Sequence, residues 1–71
     1  MSGTLDTAMI AAHEAHDSAA LIRLYTQAAD TANDLDASCF YLTHAYVFAL
    51  EAGAPAARSL HSRLVRHGRE A

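Results

Sequence analysis

One stretch constrains this chain more than any other. From Cys39 to Leu50, apolar side chains fall on almost every side of a helix. Cys39, Leu42, Tyr46, Ala49 and Leu50 share one face, while Phe40, Val47 and Phe48 lie elsewhere around it. A helix that is apolar nearly all round is buried on more than one side. The run is 12 residues long and includes Thr43 and His44. That falls short of the ~20 residues that cross a bilayer. The segment is therefore expected at the centre of a small fold or at a seam between two chains.

Size sharpens that choice. The 71 residues make one domain, 1–71. A domain of this length buries only ~60% of the surface its unfolded chain exposes, and ordering it costs roughly 1.5 kcal/mol per residue. Small folds supplement such a core with disulfides, metals or self-association. Cys39 is the only cysteine, so a disulfide within the chain is excluded. Apolar residues make up 52% of the sequence, too many for a disordered segment. Three Gly and one Pro exclude a collagen-like class. No basic, apolar leader opens the sequence, and a lone thiol fits a reducing cytosol, so a cytoplasmic location is expected. Alanine-rich, lysine-free usage is also a habit of GC-rich bacterial genomes.

Composition and punctuation predict an all-α fold of four helices. Ala, Leu, Arg and Glu favour helix, and no run alternates with the period of a strand. The first helix is expected over Leu5–Ala15, capped by Ser2 or Thr4, with Leu5, Ala8, Met9 and Ala12 on its apolar face. The second is expected over Ser18–Asn33, with Asp17 as N-cap and Leu21, Leu24, Tyr25, Ala28 and Ala32 as its stripe. The third begins after Asp34 or Asp36 and ends at Gly53. The fourth opens with Ala54-Pro55, because proline in the first helical position sacrifices no hydrogen bond. It buries Ala57, Leu60 and Leu64, with Gly68 near its end. The short links force two antiparallel helical hairpins.

The two hairpins also match each other. A shift of 37 residues brings Leu5 onto Leu42, Ala8 onto Ala45, Ala12 onto Ala49 and Glu14 onto Glu51. It superposes the corner His16-Asp17 on Gly53-Ala54. A helix–turn–helix period of this length belongs to helical repeats. The segment Leu42-Thr43-His44-Ala45-Tyr46 resembles the Leu-Gly-x-x-Tyr pattern of the tetratricopeptide family, and Ala19, Ala20, Ala56 and Ala57 suit its close helix crossings. Cys39 stands where that pattern has Trp, Thr43 where it has Gly, and no Pro closes either unit. The resemblance implies a short tetratricopeptide-like bundle whose role is protein–protein interaction. Two units are fewer than the ~three a stack needs, which also implies pairing with another chain.

Four groups of residues carry candidate chemistry. His13 and His16, three apart, would share a helix face and could offer imidazoles to zinc beside Asp17, but the zincin spacing is absent and no metal site is assigned. Cys39 and His44 point about 140° apart on one helix, so they form no nucleophilic dyad. Arg63, Arg66 and Arg69 are spaced to line one side of the last helix, the sharp reading of which is a nucleic-acid contact. Net charge −3 and the absence of lysine weigh against it. Finally, Phe40, Tyr41, Tyr46 and Phe48 gather four of five aromatics within nine residues.

Charge divides unevenly. In residues 1–36, six acids oppose Arg23 and give −5; in 37–71, four arginines oppose Glu51 and Glu70 and give +2. A compact hairpin fold would bring the acidic half against the basic half.

No phosphate loop, catalytic triad or paired carboxylates in an apolar setting is present, so neither an enzyme nor a cofactor is expected. The expected function is a small protein-interaction module or accessory subunit, a homodimer or the partner of another protein. Its contact residues would be Phe40, Tyr41, His44, Val47 and Phe48. The alternative is a small nucleic-acid-associated regulator using Arg63, Arg66 and Arg69.

Overall fold

A computed structural model describes residues 3–69. They form four α-helices: α1 (Gly3–Glu14), α2 (Ser18–Thr31), α3 (Leu35–Ala52) and α4 (Ala56–Arg66). Two of the helix starts follow short acidic side chains. Asp17 caps α2 by accepting the Ala20 amide at 3.1 Å, and Asp34 caps α3 by accepting the Ala37 amide at 2.8 Å. Each satisfies one of the amides that a helix N-terminus leaves without a partner. Of the two acids expected to open α3, Asp34 takes the cap and Asp36 sits in the first turn. Pro55 stands just ahead of α4 rather than in its first position. Thr4 lies inside α1 and so does not cap it; Ser2 is outside the described residues.

Both hairpin corners use one backbone device. At the first, His16 has φ 53° and its amide bonds to the His13 carbonyl, while the Asp17 amide reaches Ala12. At the second, Gly53 has φ 64°, its amide bonds to Leu50, and Ala54 reaches Ala49. This is the Schellman pattern, in which one left-handed residue lets two amides satisfy the last helical carbonyls. The two sets match atom for atom at the 37-residue shift read from the sequence. Gly68, at φ 71°, ends α4 the same way, with Arg69 bonding to Leu64.

The helices run as a folded ribbon. α1 packs on α2, α2 on α3 and α3 on α4; among the described residues no other pair approaches within 8 Å between Cα atoms. The result is a slab of 32 × 29 × 12 Å. It is open, since α1 and α4 never meet to close a bundle. α3 is central, as its apolar girth required. Leu42, Ala45, Ala49 and Cys39 face inward, the first three with no exposed surface. They join Ala29 of α2 and Leu60 and Leu64 of α4 in the larger core cluster. Alanine at 45 and 49 lets the neighbouring backbones come close. A smaller cluster of Ala12, Leu21 and Leu24 seats α1, with Phe48 of α3 packed against it.

Leu50 departs from expectation. Its spacing puts it on one face with Leu42 and Ala49, yet it is 55% exposed. Eight residues after Leu42 it lies about 80° further round the helix, enough to carry it past the contact with α4.

Candidate interaction surface

The inward side of α3 is fully used, so its outer side is where function is sought. At about 100° per residue, Phe40, Thr43, His44, Val47 and Glu51 cluster on the arc opposite Leu42 and Ala49. Phe40 is 58% exposed and Val47 44% exposed. The polar side chains between them turn back on their own helix. The Thr43 hydroxyl donates to the Cys39 carbonyl at 2.9 Å, and His44 Nδ1–H donates to the Phe40 carbonyl at 2.9 Å. A carbonyl can only accept, so the His44 proton on Nδ1 is fixed by this bond. Donors that are already occupied can be covered by an apolar partner without being stranded. His44 Nε2 and the exposed Glu51 carboxylate keep acceptor sites on the arc.

The remaining expected contact residues are half-buried, and one residue gathers them. Tyr25 of α2 sits beneath the flank of α3. Its ring lies 5.3 Å from His44 in a stacked pair, 5.6 Å from Phe48 and 6.2 Å from Tyr41. Its hydroxyl, which needed a partner, is hydrogen-bonded to His13 Nε2 of α1 at 3.0 Å. The His13 ring in turn meets Phe48 at 5.8 Å. Tyr41, His44 and Phe48 are thus packed partly within the chain, whereas Phe40 and Val47 stay the more exposed, the Phe40 ring lying 4.5 Å from that of His44. The sequence pointed Tyr25 to the core. It did not show that Tyr25 ties three helices together, because no local spacing records that α1 and α3 flank α2.

Two shallow hollows border the arc. One, between Thr43, His44, Val47 and Phe48, is almost wholly apolar. The other lies at the start of α3, between Asp36, Phe40, Thr43 and Arg69.

The arginines do not form the stripe their spacing suggested. α4 ends at Arg66, and the left-handed Gly68 turns Arg69 away from the helix. Arg63 pairs with Asp30 of α2 at 2.6 Å, and Arg69 pairs with Asp36 of α3 at 2.6 Å. The hydrogen bond to Asp36 holds the Arg69 guanidinium above its ordinary pKa. Arg66 is exposed. Each pair links the acidic half of the sequence to the basic half. Both partners lie 33 residues apart, beyond the reach of any local pattern.

His13 and His16 do not share a helix face either. α1 stops at Glu14, and His16 occupies the left-handed corner while His13 engages Tyr25. Among the described residues, no three His, Cys, Asp or Glu side chains are grouped to hold a metal ion. Cys39 is buried as a free thiol. Among the same residues, no helix is long and apolar enough to cross a membrane.

Comparison with protein-family models, with curated proteins and with solved structures finds no match to this chain.

Proposed function

We propose that this protein is a small interaction module that self-associates through the outer arc of α3. The observation that carries the reading is the pairing of Phe40 and Val47, both largely exposed, with polar neighbours whose donors are spent inside the helix. Aromatic residues such as Phe40 are enriched at interface cores. The open slab adds to it, since a fold only 12 Å thick leaves Phe40 and Val47 of its central helix exposed. The tetratricopeptide-like repeat is an architecture built for such contacts, and a cytoplasmic setting would keep Cys39 reduced. The reading assigns no catalytic step and no cofactor. The nucleic-acid alternative has less support, because Arg63 and Arg69 already have carboxylate partners.

Light scattering behind a sizing column, across a hundredfold dilution, tests it. The expected result is a dimer that dissociates on dilution, and a Phe40→Asp variant that is monomeric throughout with its helical circular dichroism intact. A wild type that is monomeric at every concentration would sink the reading, as would a Phe40→Asp variant that still dimerises.

A further inference from the structure

The first hairpin corner holds its turn against its own sequence. His16 has φ 53°, and among the described residues it is the only one besides glycine at positive φ. For a residue with a Cβ that conformation costs roughly five- to thirtyfold in an equilibrium constant. Nothing nearby asks for a break in the helix. Residues 4–52 contain neither glycine nor proline, and five of the ten residues 11–20 are alanine, the strongest helix former. The second corner is the contrast. Gly53 takes its left-handed place without strain, and Pro55, two residues on, could not enter the interior of a continuous helix.

The helix that this strained corner holds back is also the most lightly seated. α1 is held by Ala12 on Leu21 and Leu24, and by the His13 bond to Tyr25 at 3.0 Å. We propose that α1 is exchangeable between copies of this chain. When His16 leaves the left-handed region the corner opens. The α1 of a second copy then takes the seat on α2, while the first α1 seats on that copy in return. The seat itself fixes the occupant, because every contact of an exchanged α1 is one that the chain already makes with its own. Ala12 returns to Leu21 and Leu24, and His13 to Tyr25. The joined surface is therefore two whole helix seats. Reciprocal exchange across a two-fold axis closes at two chains, and short hinges under strain are where such swapping arises. An opened single chain is no alternative, since it leaves Leu21 and Leu24 in water.

This inference makes no use of the outer arc of α3, and concentration separates the two. A tethered α1 competes for its own seat at an effective concentration of roughly a millimolar. Relief of two strained corners, one in each subunit, offsets part of that advantage. The exchanged dimer should therefore appear only near that concentration, above the range in which a sizing column reads the arc contact.

Cysteine cross-linking reads whose α1 occupies the seat. Leu5 and Ala28 border one hollow at the end of the seat far from the corner. In a Cys39→Ala background, with folding checked by circular dichroism, Leu5→Cys and Ala28→Cys are introduced together. The protein is oxidised mildly at about one hundredth of a millimolar and at about one millimolar, to bracket the tethered concentration. The closed chain gives a bond within one chain, and so does a dimer joined through the arc alone. The exchanged dimer gives a bond between chains, seen as a covalent dimer on a denaturing gel without reductant. The expected result is monomer at the lower concentration and covalent dimer at the higher, with either cysteine alone giving at most a trace. His16→Gly should lower the covalent-dimer fraction at least about fivefold, because the closed corner then carries no strain. A second arm needs no added cysteine. Phe40→Asp removes the arc contact, and sedimentation equilibrium at the higher concentration should still find dimer, which adding His16→Gly removes. Bonds within one chain alone at both concentrations, with a monomeric Phe40→Asp variant in sedimentation, would overturn the exchange and leave the arc reading intact. A covalent dimer undiminished by His16→Gly would overturn it too, since the strained corner would not be its source. A covalent dimer at the higher concentration in a protein that is monomeric on the sizing column would support the exchange and sink the arc reading alone.

Discussion

The two hairpin corners are the same in backbone and different in everything that supports them. Around Gly53, α3 and α4 close on a core with Leu42, Ala45, Ala49 and Leu64 wholly out of solvent. Around His16, α1 and α2 close on only Ala12, Leu21 and Leu24, each keeping a little exposure, while Ile10 of α1 is 60% exposed. The second corner has a glycine in its left-handed position; the first asks a side-chain-bearing residue to adopt it. The two corners thus share their hydrogen bonds and differ in the packing around them. α1 is the edge of the ribbon and α3 its spine.

The largest expected effects test that inequality. Leu64→Ala empties a site with no exposed surface and should cost about 3 kcal/mol, within the range for buried Leu→Ala changes. Leu21→Ala should cost about 2 kcal/mol, the low end of that range, because α1 can settle onto the vacated space. Urea unfolding measures both. Equal costs would mean that the two seams are equally well packed. Hydrogen exchange should also find α1 amides opening before those of α3, as thinly packed elements do.

The corners themselves give the next effects, of opposite sign. Gly53→Ala adds a methyl that meets nothing within 4 Å, so its cost is purely conformational. It should destabilise by about 1 kcal/mol, the lower end of the left-handed penalty for a residue with a Cβ. His16→Gly relieves that same penalty and should stabilise by up to about 1 kcal/mol. A His16→Gly variant that loses stability would show that the imidazole contributes something at the corner beyond occupying it.

The sequence made the local features legible and the long-range ones illegible. Asp17 as a cap and the stops at Gly53 and Gly68 are each decided within a few residues, and the helix boundaries followed to within two residues at most ends; the left-handed His16 was not legible, since nothing local marks a histidine for that conformation. The central place of α3 was legible too, because its apolar girth admits few alternatives. Tyr25 as a three-helix tie was not, since it depends on which helices flank α2. The arginines misled for a related reason. Their spacing holds only while the helix continues, and Gly68 ends it before Arg69. What α3 presents outward was half legible: the sequence marked Phe40 and Val47 as surplus to the core, but not that Tyr41, His44 and Phe48 would be drawn partly inward around Tyr25.

The smallest expected effect concerns how the edge of the ribbon differs from its middle in charge. Asp30 and Arg63 join α2 to α4 beneath α3, where no backbone contact links the two helices. The Arg63 side chain is 29% exposed, against 40% for Arg69, and Asp30 is 53% exposed against 87% for Asp36. Solvent screens an exposed pair and leaves its long side chains free to wander. A double-mutant cycle on Asp30→Asn and Arg63→Met should therefore return a coupling of about 0.5 kcal/mol. The same cycle on Asp36 and Arg69 should return none above error in the monomer, because water competes for both partners. Raising the salt concentration should shrink the first coupling, because Asp30 is open to solvent and screening acts on exposed charges. A coupling at Asp36–Arg69 that is absent from dilute monomer but emerges as the protein dimerises would place that pair at the seam between chains rather than within one.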